Sequence, residues 1–184
     1  MNVRASSSVN GEITLSAKSF NTDVNHEIAP VYQTVTVRKG DNLFEMELPM
    51  GQDFLIWDEF SPALYRLTAT LKNGKQIETK QIQFGMREFT INGKWFYING
   101  RKTMLRGTVE NCDFPLTGYA PMDVASWERV FRICRSYGLN HMRFHSYCPP
   151  EAAFIAADLV GFYLQPEGPS WPNHGPKLGN GQPI

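Results

Sequence analysis

The chain has 184 residues, 42% of them hydrophobic, with eighteen basic and eighteen acidic side chains and no formal net charge. That is enough chain to bury a substantial core in one or two domains, and the balanced charge gives no footing to a polyanion, so no nucleic-acid partner is expected. No apolar run approaches the length of a membrane span, and Met1-Asn2-Val3-Arg4-Ala5-Ser6-Ser7-Ser8 lacks the apolar core of a signal peptide, so neither a membrane nor an export signal is expected in this segment.

The first half of the chain is written in strands. Residues 13–17, 31–37, 44–48 and 65–71 are β-rich runs separated by turn signals at Lys39-Gly40-Asp41-Asn42, Pro49-Met50-Gly51 and Lys72-Asn73-Gly74-Lys75, the last a hairpin cue ahead of residues 76–84. No long helical pattern interrupts them. Short strands at this spacing predict an antiparallel β-sandwich of immunoglobulin type over residues 1–86. The cysteine-tryptophan-cysteine core of antibody domains is missing, because Cys112, Cys134 and Cys148 all lie beyond residue 100.

The second half, residues 87–184, follows a different grammar. Residues 103–109 read as a strand. Val124, Trp127, Val130, Phe131, Cys134 and Tyr137 then recur at helical spacing with Glu128, Arg129, Arg132 and Arg135 between them, which predicts an amphipathic helix over 123–137 with Asp123 as N-cap and Gly138 as its stop. A strand follows in Asn140-His141-Met142-Arg143-Phe144-His145. Pro149-Pro150-Glu151 suits the start of a second helix, which runs through 152–160 to Gly161, and residues 162–165 read as the next strand. Strand, helix, strand, helix, strand with short turns is the order of a parallel layer covered by helices.

That order makes the strand at 140–145 informative. Alternation puts Met142 and Phe144 on one face and Arg143 and His145 on the other. A parallel strand is covered on both sides, so the polar pair points into a barrel or crevice, where a charge is costly unless it is paired or used on a ligand. The cysteines form no zinc-ligand pattern. Cys134 falls on the apolar helix face, while Cys112 and Cys148 follow strands expected to be neighbours and are either two free thiols or a disulfide. Asp58 and Glu59 are adjacent acids, and neighbours in an extended chain point apart, so a place on a loop surface is expected for them rather than catalysis.

Three segments carry a family resemblance. Phe54-Leu55-Ile56-Trp57-Asp58-Glu59-Phe60-Ser61-Pro62-Ala63-Leu64-Tyr65 resembles the tryptophan to proline-leucine-tyrosine signature of the immunoglobulin-like domain of glycoside hydrolase family 2. Phe84-Gly85-Met86-Arg87, followed by Phe96-Tyr97-Ile98-Asn99-Gly100-Arg101-Lys102-Thr103-Met104-Leu105-Arg106-Gly107, is similar to the family's passage from that domain into its catalytic barrel. Tyr137-Gly138-Leu139-Asn140-His141-Met142-Arg143, with Pro149-Pro150, Ala157-Asp158-Leu159-Val160-Gly161-Phe162 and Glu167, is similar to the second barrel strand, the second helix and the third strand. The matches stand in the family's order and cover roughly residues 10–172.

The resemblance implies a multi-domain fold: an all-β immunoglobulin-like sandwich, then the first three β/α units of a (β/α)8 TIM barrel, truncated, since a whole barrel takes about 250 residues. It implies a retaining β-glycosidase, β-galactosidase-like first among the family's activities, whose chemistry needs two carboxyls about 5 Å apart. The family's acid/base sits in an asparagine-glutamate pair ending the fourth strand and its nucleophile ends the seventh. This sequence has no Asn-Glu dipeptide, so no catalytic residue is assigned and the segment is expected to be inactive alone.

Substrate contact is expected from Asn111 and Asp113 after the first strand, Arg143 and His145 at the second, Glu167 at the third and Trp171 beyond it. Arg143 either pairs with a carboxylate to orient the site or touches the sugar. His145 departs from the family's usual serine-histidine-tyrosine order, here His145-Ser146-Tyr147. Trp171 either stacks on a sugar face or plugs the barrel rim. Some members ligate magnesium near Glu167, but no companion ligand is identifiable, so neither metal nor cofactor is assigned. The expected partner is a carbohydrate, and a periplasmic or secreted longer parent is compatible with the family. The competing reading is a non-catalytic β-sandwich module for carbohydrate binding or interaction, which would have no need of barrel strands.

Overall fold

The computed structural model describes residues 1–168. Its first unit, Met1–Ile56 with Ala63–Met86, is built on a four-stranded antiparallel sheet in the order β3-β2-β5-β6, from β2 (Val9–Phe20), β3 (Glu27–Val37), β5 (Leu64–Asn73) and β6 (Gln76–Phe84). A second, two-stranded sheet pairs β1 (Asn2–Ala5) with β4 (Gly40–Leu43). Ile13 and Leu15 alternate with more exposed neighbours along β2 and bury themselves against Val35 and Val37 of β3. The hairpin at Asn73-Gly74-Lys75 forms as expected, with Asn73 opposite Gln76 and Gly74 at φ 56°. Tyr65 is fully buried, and its hydroxyl accepts from the N–H of Leu55 at 2.8 Å and bonds His26 Nδ1 at 2.6 Å.

Residues 44–48 are not the strand expected of them. Phe44, Met46 and Leu48 do pack on the core, alternating with exposed positions in the strand period, but this segment joins no ladder. A period of two places side chains; a strand also needs a partner backbone, and here the pairing of β1 with β4 runs only as far as Phe44, which bonds the main chain of Met1 at 2.9 and 2.6 Å.

The second unit comprises Trp57–Pro62 and the chain from Arg87 onward. A small antiparallel sheet, β7 (Phe89–Asn92), β8 (Trp95–Ile98) and β9 (Arg101–Thr103), precedes a parallel sheet in the order β10-β11-β12, made of β10 (Gly107–Glu110), β11 (His141–Phe144) and β12 (Tyr163–Pro166). The single strand expected over 103–109 is thus divided between two sheets. Helix α1 (Val124–Ser136) joins β10 to β11, and α2 (Glu151–Val160) joins β11 to β12. Asp123 caps α1 by accepting the N–H of Ser126 at 2.8 Å, and Gly161 ends α2 in the left-handed conformation, φ 77°. Among the described residues no helix is long and apolar enough to cross a membrane.

The core of this unit shows which way the parallel sheet faces. Met142 and Phe144 pack with Trp127 and Phe131 of α1, with Phe162, and with Ala152, Ala153, Ala156 and Ala157 of α2, whose small side chains let that helix lie close. Phe131 stacks on Phe162 with centroids 4.9 Å apart, and Trp127 meets Phe144 edge to face at 5.7 Å. The apolar face of β11 therefore meets the helices, and Arg143 lies on the opposite face.

Two residues of the resembling motifs hold β10 and β11 in register. Asn140 is buried, accepts the N–H of Arg106 at 2.7 Å, donates through its side chain to Met104 O at 3.1 Å, and donates its own backbone N–H to Arg106 O at 3.0 Å. Gly107 lies opposite His141, and a Cβ there would fall 2.4 Å from His141 Nδ1, so only glycine fits without displacing a buried ring.

The acidic pair Asp58-Glu59 corrects the expectation of a loop surface. Glu59 is buried and pairs with Arg106 Nη2 at 3.2 Å. Asp58 Oδ1 accepts the N–H groups of Phe60 and Ser61, and its Oδ2 pairs with Arg101 at 3.2 Å. Arg135, expected on the solvent side of α1, instead donates through Nη1 to Glu59 O and Val160 O at 2.6 Å and to Gly161 O at 2.9 Å, so it neutralises the negative end of α2. Both acids are bound into the structure by arginines distant in sequence.

Candidate functional site

The carboxyl ends of β10, β11 and β12 are tied together by main-chain bonds just beyond the ladder. His145 N donates to Glu110 O at 2.8 Å, and Glu167 N donates to Tyr147 O at 3.1 Å. Between them the chain turns through Ser146, whose φ of 65° lies in the left-handed region.

On the face away from the helices, Arg143 Nε donates to Glu167 Oε1 at 2.5 Å, and the N–H of Ser146 donates to Glu167 Oε2 at 2.9 Å. Both side chains of the pair are partly exposed, at 40% and 23%, so a ligand can reach them. Arg143, first, and the Ser146 N–H, second, hold the Glu167 carboxyl below the usual carboxylate range, with a smaller contribution from the charge of His145. Glu167 is therefore an ionised acceptor and not a proton donor. Its two oxygens accept from a guanidinium and an amide, and each keeps a lone pair for a hydroxyl donor. Among the described residues no group of three or more His, Cys, Asp or Glu side chains is placed to hold a metal ion.

Glu110, which the sequence reading did not single out, ends β10 in the row of Phe144. Burial pushes its carboxyl up, opposed by the N–H groups of Cys112, Asp113 and Asn111. Oε1 accepts from the N–H of Asp113 at 3.4 Å, while Oε2 is buried with no hydrogen-bond partner. Only its position at the carboxyl end of a parallel strand could have marked it in the sequence. His141, on the same face as Arg143 one step earlier, has its imidazole pushed down by burial, partly offset by a bond to Gln165.

The structure thus brings Arg143 and Glu167 into contact, with His145 beside them. Asn111 and Asp113 are exposed in the loop after β10, linked to Glu110 through their main-chain N–H groups. Trp171 lies outside the described residues. Cys112, Cys134 and Cys148 are free thiols, so of the two alternatives for Cys112 and Cys148 the disulfide is not formed; burial pushes the Cys134 thiol up.

The described residues thus comprise a β-sheet unit and a unit with a parallel β/α layer in which Arg143 and Glu167 meet at the carboxyl ends of the strands, the edge at which open α/β sheets in general bind ligands. A family model, "Glycosyl hydrolases family 2", matches residues 1–87. A β-galactosidase of Thermoanaerobacterium thermosulfurigenes is 30% identical over 131 residues, which is 71% of this chain and 18% of that protein. A putative β-glucuronidase of Formosa agariphila is 32% identical over 128 residues, 68% of this chain and 15% of that protein. Among solved structures, the β-glucuronidase of Parabacteroides merdae superposes with a TM-score of 0.71 at 24% identity, covering 88% of this chain and 20% of that one. Bacteroides uniformis β-glucuronidase gives 0.78 at 20% identity, covering 97% and 21%; these two likenesses concern the fold. The chain belongs to glycosyl hydrolase family 2, and it spans less than a fifth of the length of the curated relatives described here.

Proposed function

We propose that this chain is the sandwich and the first three β/α units of a (β/α)8 barrel from a retaining β-glycosidase, divided near residue 86, and that it supplies part of a sugar site without the carboxyls that break the bond. The observation that carries this reading is the Arg143–Glu167 pair at the carboxyl end of a parallel sheet whose opposite face is covered by helices, because barrel enzymes build their sites on that edge. Asn111, Asp113, Arg143, His145, Glu167 and Trp171 would line the sugar, with Arg143 donating and Glu167 accepting hydroxyl hydrogen bonds. β-Galactosides are the first substrates to test, since a β-galactosidase is among the relatives that share two thirds or more of this chain.

Retaining hydrolysis needs one carboxyl to protonate the leaving oxygen and a second to attack the anomeric carbon. An ionised Glu167 is unsuited to protonating the leaving oxygen, and neither catalytic role is assigned to it here. Incubation of the chain with a panel of nitrophenyl β-glycosides is therefore expected to release no nitrophenol above a buffer control. Turnover that disappears in Glu167→Gln would overturn the reading.

A further inference from the structure

Serine at φ 65° is a costly choice, because the left-handed region crowds any Cβ and suits glycine. Such strain persists only where the surroundings enforce it, and here the surroundings are hydrogen bonds running to both neighbouring strands. One residue before Ser146 the N–H of His145 reaches Glu110 O on the β10 side; one residue after it the carbonyl of Tyr147 accepts from Glu167 N on the β12 side. The reversal at Ser146 lets the chain serve both, and it turns the N–H of Ser146 onto Glu167 Oε2 at 2.9 Å.

We infer that Ser146 is a positioning residue: its main-chain N–H is the second donor of a two-point clamp that, with Arg143 Nε, fixes Glu167 as an acceptor-only carboxylate at the sugar site. Each oxygen of Glu167 then has one donor from the protein and a lone pair left for a hydroxyl of the ligand. The bond from Arg143 uses Nε, so the two terminal guanidinium nitrogens are not consumed by it. A neighbouring pair of sugar hydroxyls, one donating to Glu167 and one accepting from Arg143, is the ligand chemistry this arrangement recognises, and hydrogen bonds of that charged kind are the strong ones. The lowered titration of Glu167 agrees with the clamp.

The inference rests on the proposed sugar site for its purpose, but its test needs no sugar. With the chain labelled for NMR, the Ser146 amide proton is expected to shift with pH at the same midpoint as the Glu167 carboxyl carbon, below the usual 4.5. Ser146→Gly keeps the N–H and accepts the left-handed backbone, so both signals keep their midpoint. Ser146→Pro removes the N–H and forbids positive φ, and in it the Glu167 midpoint rises toward the usual value. A turn of merely structural importance would change stability and leave that midpoint alone. An amide at 146 indifferent to Glu167, or a folded proline variant with an unmoved midpoint, overturns the clamp; if the proline variant does not fold, the amide titration in the wild type and glycine variant decides. Failure of the clamp leaves the glycosidase reading standing, and the reverse also holds.

Discussion

In a whole glycosidase that contains these units, as proposed above, replacing Arg143 by alanine should lower kcat/KM by about a hundredfold or more, the scale on which a misplaced site group slows an enzyme. The side chain sits at the carboxyl end of β11, on the face turned away from the helices, and its Nε bond to Glu167 is the shortest link in the site. Removing it leaves Glu167 with the Ser146 N–H alone and leaves any sugar hydroxyl at this edge without its cationic donor. The division of the effect tells which role dominates: a loss carried by KM reports sugar contact, and a loss carried by kcat reports misplaced chemistry. Thermal unfolding of the first unit should be unchanged, since Arg143 belongs to the second. Wild-type kinetics in the variant would contradict the assignment of this face.

The largest effect on stability is expected at Asn140. Its side chain bonds the Arg106 N–H and the Met104 carbonyl from a position only 2% exposed, so Asn140→Ala should destabilise the second unit by about 1–3 kcal/mol, the net worth of two hydrogen bonds, with the Met104 carbonyl keeping its bond from Arg106 Nη1 at 3.3 Å. Denaturant unfolding followed by tryptophan fluorescence reads this through Trp127, which is packed in the same unit. A change within about 0.5 kcal/mol, the range of an indifferent surface position, would show that the register of β10 and β11 does not depend on it.

These cases show what the sequence makes legible. Helices α1 and α2 stand where periodicity, Asp123, Gly138, Pro150 and Gly161 place them, because caps and amphipathic spacing are local properties. The face of β11 was legible too, since Met142 and Phe144 had to find the apolar helix sides. Pairing was not: residues 44–48 have the strand period and no ladder, and 103–109 is split between two sheets, because a strand is completed by a neighbour that its own residues do not name. Burial of Glu59 depends on Arg106 and Arg135, far along the chain, and so escaped a local reading. Within the site, Arg143 and Glu167 were each marked by their strand ends, but the bond between them spans 24 residues. Ser146 gave no signal, because a serine in the left-handed region looks like any other serine.

The stereochemistry of hydrolysis tests the central claim most directly. A protein in which these units are joined to later barrel strands carrying an Asn-Glu pair and the nucleophile would be given a β-galactoside and followed by proton NMR from the first turnovers. The account predicts cleavage in which the β-anomer of the free sugar forms first and only then mutarotates, because two displacements at the anomeric carbon retain its configuration. Initial release of the α-anomer, or a joined protein that carries both carboxyls and turns over no β-glycoside, would contradict it.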